Sequence, residues 1–176
     1  SSAASDVFMR LDIDAVAGAI AHGSLMGARG NSGVILSQVL RGLSATFSQV
    51  GTNDPQGTID GRLLADGMAA AATAAYGAVM TPVEGTILTV VRESAEAAVA
   101  AADGGADLLG VAEASRMAGG ESLARTPELL PVLAEAGVVD AGGCGFLLLL
   151  DAVLTTIDGR PIPEPVEVAA PLASST

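Results

Sequence analysis

Apolar positions recur along this chain at the three-and-four spacing of an amphipathic helix, and no stretch alternates convincingly over strand length. Ile13, Val16, Ala17 and Ile20 mark one face of a first helix predicted from about Asp12 to Met26. The run Gly27-Ala28-Arg29-Gly30-Asn31-Ser32-Gly33 interrupts it. Ile35, Val39, Leu43 and Phe47 define a second helix from about Val34 to Val50, with Leu36 and Leu40 widening its apolar face. Gly51 to Asp60 reads as a solvent loop. Asp60 or Thr58 is the expected cap of an alanine-rich third helix that reaches Met80. Pro82 ends that helix, and Gly85 or Thr86 opens a fourth that runs to about Ala102. A turn over Asp103 to Asp107 precedes a fifth helix from Leu108, which Gly119 and Gly120 are expected to weaken or break. Thr126-Pro127 reads as an N-cap followed by proline at the first helical position, opening a short helix through Leu133. A second glycine-rich passage, Gly137 to Gly145, leads to a last helix from about Phe146 to Ile157.

The predicted fold is therefore all-α, with about six or seven antiparallel helices joined by short turns. Prolines at 161, 163, 165 and 171 make residues 160–176 an extended linker, which leaves residues 1–159 as the helical domain.

Composition supports helix: half the residues are hydrophobic, and much of that half is alanine. Cys144 is the one cysteine, so no disulfide framework is possible. No charged-then-apolar leader opens the chain. The apolar stretch Phe146 to Leu150 is closed by Asp151 and is too short to span a bilayer. The expected location is cytoplasmic, with no membrane span.

Charge removes several chemistries. The formal net charge is −12, there is no lysine, and no two of the eight arginines are adjacent. A nucleic-acid partner is not expected, because no basic face can be assembled to displace counterions from a phosphate backbone. A Walker-type phosphate loop and Schiff-base chemistry both need the lysine that is missing. Any phosphate held here must meet backbone amides, hydroxyls, arginine or metal.

Three glycine turns at helix starts could do so. The segment Gly30-Asn31-Ser32-Gly33 enters the second helix, where unpaired N–H groups and the helix dipole suit an anion. Its alternative is a tight helix–helix turn in which Ser32 only caps. A dinucleotide-binding reading fails, since no strand precedes these glycines. In Pro82-Val83-Glu84-Gly85-Thr86, Glu84 could accept from a ribose or orient a water, and Thr86 could donate to a phosphate. The alternative there is a capped helix start after a proline. In the third turn, Asp140-Ala141-Gly142-Gly143, the aspartate is either an N-cap or a group aimed at a ligand. His22 reads as a packing residue. Cys144 has no histidine near it in sequence, and no cysteine–histidine cluster has zinc spacing.

The ordered strings LMGARGNSGVI from Leu25, PVEGTILT from Pro82, ARTPELLPVL from Ala124 and AGVVDAGG from Ala136 resemble the nucleotide-binding domain of the dihydroxyacetone-kinase L family. The branch they resemble most is the N-terminal domain of bacterial fatty acid kinases. The resemblance runs from about His22 to Pro165 and implies an antiparallel eight-helix barrel binding ATP or ADP at one end. It implies that the turn at Asn31, Ser32 and Gly33 meets the phosphates. It implies too that Glu84, Gly85, Thr86 and Asp140, Ala141, Gly142, Gly143 close around the nucleotide. Lipid in the barrel interior is a further implication, drawn from some relatives. The implied activity is an ATP-dependent kinase whose acceptor is a fatty acid on an acyl-binding protein, or dihydroxyacetone on a partner subunit. A second copy, as a homodimer, is another expected partner. The family holds a pair of magnesium ions with an aspartate cluster upstream of the first glycine turn, and no Asp-Gly-Asp occurs in this chain. Asp12 and Asp14 stand two apart on a helix start and should not converge on one ion. The expectation is thus a truncated or degenerate member, inactive by itself. The rivals are a non-catalytic nucleotide- or lipid-binding regulatory module and a helical scaffold.

Overall fold

The computed structural model describes residues 13–49 and 58–164. Asp12, most of the loop predicted after Val50, and the proline-rich tail from residue 165 lie outside them. Among the described residues there are seven helices and no strand. They are α1 (Ile13–Gly27), α2 (Gly30–Phe47), α3 (Gly61–Gly77), α4 (Ile87–Asp103), α5 (Leu108–Leu129), α6 (Pro131–Ala136) and α7 (Ala141–Asp158).

The all-α expectation holds, and several boundaries follow from local chemistry. Of the two expected caps for α3, Asp60 does the work, accepting from the Leu63 amide at 2.8 Å. Asp107 caps α5 in the same way through the Gly110 amide. Other boundaries differ from the sequence expectation. α3 stops at Gly77, before Pro82 is reached. α2 starts at Gly30, so Asn31, Ser32 and Gly33 form its first turn instead of a linker. α7 starts at Ala141 and takes Gly142, Gly143 and Gly145 into its first turns.

α5 is the largest correction. It runs unbroken through Gly119, Gly120, Thr126 and Pro127. Gly119 is buried, and a β carbon there would collide with Ser94 of α4 and Leu147 of α7, so glycine serves close packing. Pro127 lacks the N–H that would reach the carbonyl of Leu123, and the hydroxyl of Thr126 donates to that carbonyl at 2.7 Å instead. The Thr-Pro pair therefore sits in the last turn of α5, and Pro131 opens the short helix.

Consecutive helices pack in succession, α1 on α2, α2 on α3, α3 on α4 and α4 on α5, and α7 closes on α5, α4 and α2. The shared core includes Val39, Met68, Val90, Val91, Val111 and Phe146, all fully buried. Gly42 lets α2 approach α3 so closely that a β carbon would stand 2.7 Å from the Ala71 backbone. Arg116 of α5 grips both carboxylate oxygens of Asp151 of α7 through one guanidinium edge, Nε donating to Oδ1 at 2.6 Å and Nη2 to Oδ2 at 3.1 Å. α7 is long and apolar enough to cross a membrane by length and composition. Here its Phe146, Leu147, Leu150 and Leu154 enter the protein core beside the ion-paired Asp151. On α1 Ala17 of the predicted apolar face is buried, while Val16, Ile20 and His22 are exposed.

Candidate functional site

The antiparallel succession places the starts of α2, α4 and α7 at one end of the molecule. The contact that proves it is at Gly142. A β carbon built there would lie 3.2 Å from Ser32 Oγ in α2, 3.2 Å from Ile87 Cβ in α4, and 3.1 Å from Asp140 Oδ2. Three segments far apart in sequence thus meet at one glycine, each presenting the first turn of a helix. The positive ends of three helix dipoles converge there, an arrangement suited to an anion.

The three starts are not equivalent. Asp140 caps α7, its Oδ2 accepting from the Gly143 amide at 2.7 Å. Thr86 caps α4, its hydroxyl accepting from the Leu88 amide at 3.3 Å and donating to the Val83 carbonyl at 2.7 Å. α2 has no side-chain cap: Arg29 occupies the capping position, and no hydrogen bond from its side chain reaches the first turn. Its guanidinium turns back to the carbonyls of Ala28 and Met26, at the C-terminal end of α1, where a cation is favoured. Gly30, with φ of 64°, makes the entry into α2 that a residue with a β carbon would resist. Asn31 and Ser32 are exposed beside this uncapped turn, and Gly33 packs on Ala28. A groove of about 350 Å³ adjoins it, lined by Ser24, Gly27, Arg29 and Gly33 among others.

Asp140 is joined to α5 as well. Its amide donates to the Thr126 hydroxyl at 3.1 Å, the same hydroxyl that satisfies the Leu123 carbonyl. Thr126 is fully buried and went unrecognised as part of this end, because its Thr-Pro spelling reads as a helix start. Of the two readings for Asp140, the capping interaction is present in the structure, and the residue stands beside Ser32 at the same time.

Glu84 has a different setting. Its Oε1 accepts from the Tyr76 hydroxyl at 2.9 Å, and its Oε2 accepts from Thr89 at 2.7 Å and from Arg92 at 3.2 Å. The Thr89 hydrogen bond above all, with Tyr76 and Arg92 adding to it, holds the Glu84 carboxyl below its ordinary range against the opposing effect of burial. Gly85, with φ of 79°, is buried against Leu129 and Leu130 at the junction of α5 and α6. The structure therefore brings Ser32, Asp140, Ala141, Gly142 and Gly143 together, with Thr86 adjoining through Ile87, and turns the Glu84 carboxylate toward α3 and α4. Tyr76, Thr89 and Arg92 carry no local signal that marks them as its partners.

Cys144 is half-buried, and burial pushes its thiol up, so it is held as the thiol. Among the described residues no group of three or more histidine, cysteine, aspartate or glutamate side chains could hold a metal ion.

Comparison with known proteins gives the chain a family. Over 153 residues the chain is 44% identical to Protein YloV of Bacillus subtilis (strain 168), covering 87% of this chain and 27% of that protein. It is 45% identical over 140 residues to the uncharacterized protein SAB1090 of Staphylococcus aureus (strain bovine RF122 / ET3-1), covering 80% of this chain and 24% of the relative. The chain thus spans about a quarter of the length of these curated relatives. The family described as the DAK2 domain matches residues 2–155. The chain belongs to the DAK2 domain family, the ATP-binding module of dihydroxyacetone-kinase L-type kinases.

Proposed function

We propose that this chain binds ATP and ADP at the meeting point of α2, α4 and α7 and serves as the nucleotide-binding domain of a phosphotransferase. The observation that carries the reading is the side-chain-uncapped first turn of α2, set with Ser32 Oγ against Gly142. Amide groups at a helix start that no side chain satisfies are suited to phosphate oxygens, and Ser32 adds a hydroxyl at the same place. The first turns of α4 and α7 close the remaining sides. Phosphoryl transfer depends on positioning and on neutralising charge, and these residues supply the positioning. The acceptor we favour is a fatty acid presented by an acyl-binding protein, with dihydroxyacetone on a partner subunit as the second candidate.

The described residues fit the nucleotide and do not fit a magnesium cluster. Asp140 spends Oδ2 on the Gly143 amide, and Glu84 spends both oxygens on Tyr76, Thr89 and Arg92. When bound, magnesium would neutralise charge on the transferring phosphate. Its ligands are assigned to residues other than these.

Calorimetric titration of ADP into the intact protein tests the reading. Ser32→Ala combined with Gly33→Val removes the hydroxyl and forces a branched side chain between the first turn of α2 and Ala28, which displaces the amides that would meet the phosphate. The expected outcome is loss of measurable ADP binding with the helical circular dichroism retained. Unchanged affinity in the folded double variant moves the phosphate site elsewhere.

A further inference from the structure

Glu84 is half exposed, yet three donors converge on its carboxylate. An exposed ion pair adds little to stability, so the purpose of this arrangement is better sought in geometry. Its inner member is Thr89, which is 1% exposed and cannot reach a ligand. A threonine within a helix ordinarily donates to the carbonyl one turn back. Thr89 instead donates to Glu84 and accepts from the Gly85 amide at 2.8 Å. That bond fixes a left-handed glycine whose α carbon is wedged on Leu129 and Leu130, within 3.1 Å of any β carbon it might carry. The next residue is Thr86, the cap of α4, and the one after is Ile87, which borders Gly142. Val90, beside Thr89, borders Gly143.

We propose that Glu84 and Thr89 are a positioning pair that fixes the start of α4 against the start of α7, so that the loop presents Thr86 to the nucleotide and Glu84 does not touch it. This rests on the nucleotide reading above. The pair acts through the Gly85 turn: Tyr76 and Arg92 hold Glu84 from α3 and α4, Glu84 orients the Thr89 hydroxyl, and the hydroxyl holds the Gly85 amide. Neither residue is catalytic in this assignment.

ADP affinity of the intact protein, measured by calorimetry, is compared for Thr89→Val, Thr89→Ser, Glu84→Gln and Leu64→Ala. Leu64 is a core residue beside Phe47, Leu108 and Ile157, at the opposite end of the bundle, so its variant lowers stability without touching the site. Thr89→Val is expected to weaken ADP about tenfold or more, Thr89→Ser to restore it to within about twofold, and Glu84→Gln to weaken it several-fold. Leu64→Ala is expected to lower the melting temperature with affinity kept. Weakening by Glu84→Gln alone, with Thr89→Val binding normally, overturns the proposal in favour of direct contact by Glu84. Affinity that simply follows melting temperature in all four variants overturns it in favour of a structural role. Absence of ADP binding in the parent protein is a failure of the nucleotide reading and is seen before any variant is made. In that event amide hydrogen exchange of the unliganded protein decides: faster exchange at Gly85 and the first turn of α4 in Thr89→Val upholds the positioning pair, and unchanged exchange rejects it.

Discussion

Ser32 of α2 and Asp140, the cap of α7, border a single point in space above the α carbon of Gly142, at 3.2 and 3.1 Å from where a β carbon would stand. Their proximity joins the first and last of the three helix starts into one site. It also means that Gly142 sets how near those starts can come.

Replacing Gly142 with alanine tests that relationship. Alanine is favoured over glycine inside a helix by about 1 kcal/mol, while the new methyl must push its neighbours by a few tenths of an ångström. The two effects oppose each other, so stability should stay within about 1 kcal/mol of the parent. Nucleotide affinity should fall about tenfold, since the displaced atoms include Ser32 Oγ. Thermal melting and ADP calorimetry on the same preparation would separate the two effects.

A second expectation concerns Arg116 and Asp151. Asp151 is 7% exposed, and Arg116 meets both of its oxygens. Removing the arginine leaves a carboxylate in a place water hardly reaches, a change that costs about 3–5 kcal/mol for a fully buried pair. Arg116 keeps 29% of its side chain exposed, so the loss for Arg116→Ala should be nearer about 2–4 kcal/mol. The midpoint of urea unfolding reports it. The double variant Arg116→Met with Asp151→Leu should recover most of the loss, because an apolar pair needs no desolvation.

The helical character of the chain and the apolar face of α2 were legible because Ile35, Val39, Leu43 and Phe47 follow helical spacing and pack in or against the core, whereas Val16 and Ile20 of the face predicted for α1 are exposed. Glycine was harder to read. It breaks a helix through its backbone freedom, but it also lets helices touch, and a sequence alone does not separate the two uses. Gly119, Gly142 and Gly143 are all inside helices here. Pro127 misled for a related reason: whether a proline starts or ends a helix depends on what satisfies the carbonyl it abandons, and Thr126 does so. The residues of the candidate site were legible as motifs. Their meeting was not, since it depends on three helices standing in one direction. The commitment of Glu84 depends on Thr89, Tyr76 and Arg92, whose hydrogen bonds exist only once α3 and α4 have packed.

Gly119 and Gly120 turn that lesson into a measurement. Gly119→Ala places a methyl against Ser94 and Leu147 and should cost about 1–3 kcal/mol in spite of the better helix propensity. At Gly120 the methyl would meet Arg116 Nη1 at 3.1 Å, the far end of a flexible side chain. Gly120→Ala should therefore be neutral or stabilising by up to about 1 kcal/mol. Both alanines destabilising to the same extent, as judged by denaturant midpoints, would contradict the close-packing account of α5.

The last expectation concerns magnesium and follows from how the carboxylates at this end are used. A carboxylate that holds a divalent ion needs oxygen lone pairs turned toward it, and the ion is favoured where several such groups converge. Glu84 directs its oxygens to Tyr76, Thr89 and Arg92, a set that includes a positive guanidinium. Asp140 directs Oδ2 to the Gly143 amide, and no third acidic, histidine or cysteine side chain joins it among the described residues. In the intact protein, the ratio of ADP affinities with and without magnesium should therefore be the same for the parent, Glu84→Gln and Asp140→Asn. Absolute affinity is expected to fall in both variants, through the Gly85 turn in one and the cap of α7 in the other. The ratio is the informative quantity, because loosening a helix start weakens the nucleotide equally in either condition. If Asp140→Asn abolishes the magnesium effect while Glu84→Gln preserves it, the metal sits on Asp140 beside Ser32, and the phosphate site must be drawn one carboxylate closer to α7 than the uncapped turn of α2 places it.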